Sequence, residues 1–326
     1  MLCKMNTKLI YVIVSDDTDT YLEQALISAY SARKHNQDAH IAIVIDNLTA
    51  KTIIGKREEI NNYINEKIII NIPGDHSKTY RSRFIKTNLR NYIEGDYLFI
   101  DTDTIICDKL HDIDNVKWEI CAVRELNKYN KFSNEEPWMN HLAEKVGIEK
   151  ELCGEPYFNS GVMYVKDTES THNLYNKWHQ YWQEYTQKGL HTDQTPLCMA
   201  NKIEGHLIHF LDDAWNCQIK YEGINNAYSA KIVHYFYGMD ENEFLFSMHS
   251  VLKTIKETGF IPHFIKDIVL HPNKAYMIDA KSMAYIREQG DIRRVYEESK
   301  CFFFILQKIG HIYLAFKRRY NFLNKH

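Results

Sequence analysis

Short apolar runs alternate with longer segments of helical spacing along the first two thirds of the chain. The runs fall at 9–14 (LIYVIV), 41–45 (IAIVI), 67–71 (KIIIN) and 97–100 (YLFI). Apolar residues on both faces of a short run indicate a strand buried on both sides. Between the runs, the spacing predicts helices near 19–35, 49–64 and 78–93. Strands that alternate with helices indicate a mainly parallel sheet covered on both faces. Further strands are expected near 118–123, 157–165, 206–210 and 231–235, with a helix rich in tryptophan and tyrosine over about 168–187. After about residue 243 the strand pattern fades and helical stretches dominate. The chain therefore divides into an α/β body, 1–242, and a helical C-terminal extension, 243–326.

The length of 326 residues allows about two domains and an ample core. With 44% hydrophobic and 25% charged residues, the chain is neither disordered nor collagen-like. It contains no run of roughly 18 apolar residues that could span a bilayer. A formal charge of −3 gives no global positive field, so nucleic acid is not an expected partner. The seven cysteines form no C-x-x-C pair, which fits reduced thiols in a cytoplasmic protein. Lys4 and Lys8 precede the first apolar run much as in an export signal. That run is six residues, shorter than the roughly 7–15 of a signal core, and Asp16 and Asp17 follow at once, so it reads as a buried strand.

The most informative segment is Leu98-Phe-Ile-Asp101-Thr102-Asp103-Thr-Ile-Ile106, an apolar strand that ends in two carboxylates one residue apart. In open α/β sheets, ligands sit beyond the carboxyl ends of the strands. Two hard oxygen ligands there can hold Mg²⁺ or Mn²⁺ against a diphosphate. Two chemistries fit. One is sugar transfer from a nucleotide sugar. The other is phosphoryl transfer of the haloacid-dehalogenase type, with Asp101 as nucleophile and Asp103 as acid/base. The phosphatase motif usually ends the first strand of its domain, and here three expected strands come before it. A non-catalytic carbohydrate-binding protein is the non-enzyme alternative.

Further elements follow in order: Ser15-Asp16-Asp17 after the first strand, Ser82-Arg83-Phe-Ile-Lys86 before the acidic pair, and Tyr157-Phe158-Asn159-Ser160-Gly161-Val162 after it. Then come Asp193-Gln194, Leu211-Asp212-Asp-Ala-Trp215-Asn216, and Val233-His234 with Gly238. Together they resemble the nucleotide-sugar glycosyltransferases of the GT-A fold, most closely glycosyltransferase family 8. The late segment departs from the family pattern: Gly238 is one residue further on and no Lys-Pro-Trp follows. The lysine the family uses on the diphosphate is therefore unplaced, with Lys231 and Lys86 as candidates. The chain reads as a divergent member.

The resemblance implies a GT-A, Rossmann-like body whose mixed, mainly parallel sheet is flanked by helices. It implies a retaining, metal-dependent transfer of a hexose from a UDP-sugar to a hydroxyl of a glycan or glycolipid acceptor. The setting it suggests is bacterial cell-surface polysaccharide or lipopolysaccharide synthesis. Asp101, Asp103 and His234 are the implied ligands of Mn²⁺ or Mg²⁺. Asp16, Asp17, Arg83, Lys86, Asp101, Thr102, Ser160, Gly161 and Gly238 are implied for the donor, and Asp193, Gln194 and Asn159 for catalysis. Retention could use a covalent carboxylate, with Asp193 or Asp212 available, or same-face attack. Asp16 and Asp17 also suit a helix N-terminus, and Trp215 suits a core position.

Residues 300–326 combine an apolar set around Cys301-Phe-Phe-Phe-Ile-Leu306 with Lys300, Lys308, Lys317, Arg318, Arg319 and Lys325, and no acid. An amphipathic helix of this kind can lie at an anionic lipid surface or pack on the body. The first option puts the protein in the cytoplasm, peripheral on the inner face of the cytoplasmic membrane.

Overall fold

A computed structural model describes residues 4–72, 74–128, 131–132, 137–219, 221, 223, 227, 229–235, 249–270, 305 and 308. Its strands are β1 (Lys8–Ile13), β2 (Ile41–Asp46), β3 (Glu66–Ile70), β4 (Tyr97–Ile100), β5 (Thr104–Ile106), β6 (Ile120–Arg124), β7 (Phe158–Val165), β8 (Ile208–Phe210), β9 (Cys217–Gln218) and β10 (Ile232–His234). Its α-helices are α1 (Tyr21–His35), α2 (Asn47–Thr52), α3 (Lys78–Thr87), α4 (Pro137–Glu144), α5 (Glu149–Leu152), α6 (Glu169–Gln187), α7 (Gln194–Ile203), α8 (His249–Thr258) and α9 (His263–Leu270).

Seven strands form one sheet in the order β3-β2-β1-β4-β7-β6-β8. The first four are mutually parallel, and β6 and β8 are parallel. β7 runs antiparallel to both its neighbours, β4 and β6. The sheet is thus mixed and mainly parallel, as expected. β1, β2 and β4 are buried almost throughout because helices cover both faces. One core cluster gathers Leu9, Tyr11, Ile43 and Leu98 against α1. The other gathers Ile10, Val44, Phe99 and Met163 against the Trp178 side of α6. The alternation of neighbouring residues between two cores follows from the period-two geometry of strands.

A second sheet, β5-β10-β9, was not anticipated from the sequence. β10 falls on the strand expected near 231–235, but β5 and β9, of three and two residues, are too short for a periodicity to show. α1 anchors it: Ser31 Oγ accepts the Ile106 backbone N–H at 2.9 Å, and Ser28 Oγ lies 2.8 Å from Thr104 Oγ1. The helix expected over 49–64 is split into α2 and a 3-10 helix at Gly55–Asn62, and the break falls where Gly55 takes a φ of 57°, a left-handed conformation that glycine adopts without steric cost.

The chain separates into two compact units, Met1–Tyr276 and Met277–His326. α8 and α9 belong to the first, burying Leu252, Ile255, Ile265 and Val269 in the α1 core. The basic segment 300–326 lies outside the described residues apart from 305 and 308. Among the described residues, no helix is long and apolar enough to cross a membrane.

Candidate active site

Three chain segments meet beyond the end of β4. The Asp101 backbone N–H donates to the Gly161 carbonyl at 2.7 Å, which ties the end of β4 to β7. Asp103 O accepts the Tyr235 N–H at 3.1 Å, and His234 pairs with Thr104 in the β5–β10 register. The small sheet therefore delivers His234 to the acidic pair, with Nε2 3.2 Å from Asp103 Oδ1. One ligand atom from each of Asp101, Asp103 and His234 lies within 4.8 Å of the others.

Gly161 closes this group. A Cβ there would lie 2.6 Å from His234 Cε1, 2.8 Å from Asp101 Oδ2 and 2.9 Å from Asn159 Oδ1, so no other residue fits without displacement. The register explains the approach. Ala122 pairs with Met163 but Val123 pairs with Asn159, so Ser160, Gly161 and Val162 are passed over on the β6 side. This bulge turns the segment toward Asp101, as bulges beside functional sites do.

The donor set suits a divalent ion. Asn216 Nδ2 donates to Asn159 Oδ1 at 2.7 Å, which turns Asn216 Oδ1 toward His234 Nδ1 at 3.0 Å. A proton on Nδ1 then leaves the Nε2 lone pair on the carboxylate side. Such outer contacts fix the tautomer of a ligating histidine. Burial lowers the His234 pKa, but Asp103 more than offsets this and raises it above the ordinary value. The pocket thus favours positive charge. Two carboxylates and one imidazole match a borderline ion such as Mn²⁺, and Mg²⁺ through the oxygens.

The opposite wall is cationic. Lys86, buried on α3, donates to Asp101 Oδ1 at 3.3 Å and to Ser160 Oγ at 3.1 Å, and pairs with Asp193 Oδ2 at 3.0 Å. Arg83 Nε pairs with Asp193 Oδ1 at 3.1 Å, and Ser160 Oγ–H donates to Asp193 Oδ2 at 2.9 Å. Burial pushes the Asp193 carboxyl up, but Arg83 and Lys86 outweigh it and hold the group well below the usual carboxylate range. Arg83 and Lys86, one turn apart on α3, thus act on one carboxylate, and Lys86 is no solvated surface charge.

Gln194 opens α7 and donates through Nε2 to Phe158 O at 2.9 Å and to Glu125 Oε2. Asn159 Nδ2 donates to the same Glu125 oxygen at 2.9 Å. Glu125 was not singled out from the sequence. It is buried, and burial raises its pKa against the hydrogen bonds from Asn159 and Gln194. Leu126 and Asn127, with φ of 60° and 53°, turn the chain just after it. A leucine in that region is rare. Gln218 accepts from the Leu126 N–H at 2.8 Å and donates to Arg124 O at 2.7 Å, which holds the turn. The available signal was an acid just past the end of an expected strand, the position that drew attention to Asp101. Asn216 lay in a quoted motif, but only the structure shows that it orients His234.

The other expected residues make contacts of their own. Asp16 accepts from Thr18 Oγ1 at 2.6 Å and from Lys78 Nζ at 3.0 Å, and its carboxyl is held low chiefly by Thr18. Asp17 is exposed, 3.7 Å from Arg57 Nη1. Lys256 of α8 donates to the carbonyl of Asp16 at 3.0 Å, pinning this loop. Thr102 Oγ1 donates to Gln24 Oε1 at 3.3 Å. Lys231 is committed to Asp112 at 3.0 Å and lies 5.2 Å from the Trp215 ring centroid, so Lys86 is the lysine found beside the acidic pair. Asp212 accepts from the Ala214 N–H at 2.9 Å. Trp215 is buried in the core. Gly238 lies outside the described residues.

A family model described as glycosyl transferase family 8 matches residues 12–239. An active-site mutant of LgtC has a similar structure, with TM-score 0.51 and 15% identity over 80% of this chain and 99% of that one. The glycosyltransferase GlyE of Streptococcus pneumoniae TIGR4 gives TM-score 0.49 and 16% identity over 82% and 63% of the two chains. Mouse xyloside xylosyltransferase 1 gives 0.45 and 16% over 70% and 97%. No curated protein sequence matches the chain.

Proposed function

Because the chain belongs to glycosyltransferase family 8, we propose that it moves a hexose from a UDP-sugar to a hydroxyl of a glycan or glycolipid acceptor, with retention of configuration. It is a glycosyltransferase with the GT-A fold. The observation that carries the proposal is the convergence of Asp101, Asp103 and His234 around Gly161. These three residues would hold Mn²⁺ or Mg²⁺. Such an ion supplies Lewis-acid neutralisation of the diphosphate, which makes UDP a better leaving group.

The chain's own residues do the rest. Lys86 and Arg83 place two positive charges beside the acidic pair, where diphosphate oxygens would lie. Asp193 holds both cations in place in the absence of donor. Asn159 and Gln194 present amides, which bond sugar hydroxyls in either direction, and Glu125 presents carboxyl oxygens that accept from them. Neither carboxylate offered for a covalent route is well disposed to it. Asp193 is neutralised by two cations, and Asp212 caps a turn. We therefore favour attack on the same face as the departing phosphate. All these residues lie within 1–242, the portion expected to be catalytic. A cell-surface polysaccharide or lipopolysaccharide acceptor remains part of the proposal.

UDP release tests the reading. Incubation with Mn²⁺ and a set of UDP-hexoses should liberate UDP, and an aryl phosphate should stay intact. Aryl phosphate hydrolysis without UDP release would favour the phosphatase alternative. Sugar binding indifferent to metal, with no UDP formed, would favour a binding protein.

A further inference from the structure

The order of the strands marks out a ligand crevice at the end of β1. From β1 the chain runs outward through β2 to β3, then returns to β4 on the other side of β1. In open α/β sheets, ligands bind beyond the carboxyl ends of the strands where the order reverses. One wall of that crevice carries Asp101 and Asp103, which follow β4. The other is the loop 15–19, which follows β1. We propose that Lys256 of α8, a helix beyond the matched segment 12–239, is a positioning residue for the donor: it fixes the loop against which the nucleoside end lies. This inference rests on the glycosyltransfer reading above.

The loop carries three carboxylates in five residues, Asp16, Asp17 and Asp19, and like charges so close repel one another. Cations from three elements gather on it. Lys78 of α3 pairs with Asp16 Oδ1 at 3.0 Å and Asp19 Oδ2 at 2.6 Å. Arg57, in the 3-10 helix at Gly55–Asn62, donates to Ser15 Oγ at 2.6 Å and pairs with Glu23 at 3.1 Å. These two act on side chains. Lys256 acts on the main chain instead, donating to the carbonyl of Asp16 at 3.0 Å and to that of Asp19. An ammonium offers three donors, so one cation ties together two carbonyls three residues apart.

The helix that delivers this cation is itself docked. Val251, Leu252 and Ile255 are buried in the core that includes α1. Gly259, with a φ of 81°, ends α8 against the 3-10 helix, where a Cβ would lie 3.0 Å from Lys56 O. Lys56 Nζ donates back to the Glu257 carbonyl. Lys56 precedes Arg57, so the residue that receives α8 adjoins the one that holds Ser15. The loop therefore stands in one shape before the donor arrives, and a binding loop already ordered lowers the cost of association.

Isothermal titration into the full-length protein tests the inference with three probes: Mn²⁺ alone, UDP with Mn²⁺, and inorganic pyrophosphate with Mn²⁺. Lys256→Met keeps an aliphatic stem and removes the donors. It should weaken UDP about tenfold, the equivalent of 1.4 kcal/mol. Mn²⁺ and pyrophosphate, which report on the acidic pair and its cations, should bind as in wild type. Lys256→Ala should behave in the same way. Lys253→Met, at an exposed position of α8, removes the same charge and should leave UDP affinity unchanged. Circular dichroism confirms folding. The inference is overturned if the folded Lys256 variants bind UDP as wild type does, if pyrophosphate weakens as much as UDP, or if Lys253→Met shows the same loss. A wild-type protein that binds no UDP in the presence of Mn²⁺ would strike the glycosyltransfer reading and the inference with it, whereas an unchanged Lys256 variant strikes the inference alone.

Discussion

Adding a single methyl group at Gly161 should cripple metal binding without unfolding the chain. The added Cβ of Gly161→Ala would fall 2.6 Å from His234 Cε1, 2.8 Å from Asp101 Oδ2 and 2.9 Å from Asn159 Oδ1. None of these neighbours is the free end of a flexible side chain. His234 is held between Asn216 and Asp103, Asn159 is bonded to Glu125 and Asn216, and Asp101 faces Lys86. Ordinary contact needs about 3.5 Å or more, so the ligands must shift by several tenths of an ångström. Metal sites tolerate about ±0.2 Å in ligand distance. Overpacking of this kind costs roughly 1–3 kcal/mol. If that cost falls on the ion-binding geometry, Mn²⁺ affinity drops by about 5- to 150-fold. Isothermal titration of Mn²⁺ into wild type and variant, with circular dichroism to confirm folding, measures the change. A folded Gly161→Ala protein that binds Mn²⁺ as tightly as wild type would refute the assignment of this cradle to the ion.

Removing the support behind the histidine should act in the same direction: Asn216→Ala should lower Mn²⁺ affinity by about 10- to 100-fold, the usual effect of losing an outer contact, as read by the same titration. Asp193→Asn leaves Arg83 and Lys86 without their shared counter-ion and should cost about 3–5 kcal/mol of stability at neutral pH, measured by urea unfolding. Because the folded-state pKa of Asp193 is depressed, its contribution is present above the unfolded value of about 3.9 and is lost as pH falls below it. Wild type should therefore lose its advantage over Asp193→Asn on acidification below about pH 4. The raised pKa of His234 means that protons compete with the ion. Mn²⁺ affinity should begin to fall already above pH ~6.5, the ordinary histidine value, and a flat affinity between pH 8 and 6 would speak against His234 as a ligand.

Much of the large sheet was legible in the sequence because its strands are buried on both faces and so appear as unbroken apolar runs. The acidic pair stood out because it terminates such a run. Of the small sheet, the strand near 231–235 was legible but its pairing was not. Thr104–Ile106 and Ile232–His234 are short segments whose pairing depends on α1 and on contacts over more than a hundred residues. The approach of His234 to Asp103 therefore came from family resemblance rather than from periodicity. Glu125 and the role of Asn216 were missed for a related reason. Each acts through side-chain contacts to Asn159 that bridge distant segments, and no local pattern encodes such contacts. Asp16 accepts from the N–H and hydroxyl of its neighbour Thr18, whereas α1, whose start it was expected to suit, has Thr20 at its N-cap.

Diffraction at the manganese absorption edge, from crystals grown with Mn²⁺ and UDP, addresses the central claim most directly. The account predicts one anomalous peak bonded to Asp101, Asp103 and His234, with diphosphate oxygens on the same ion. Ordered UDP with the ion elsewhere, or with those three side chains turned away from it, would contradict the account.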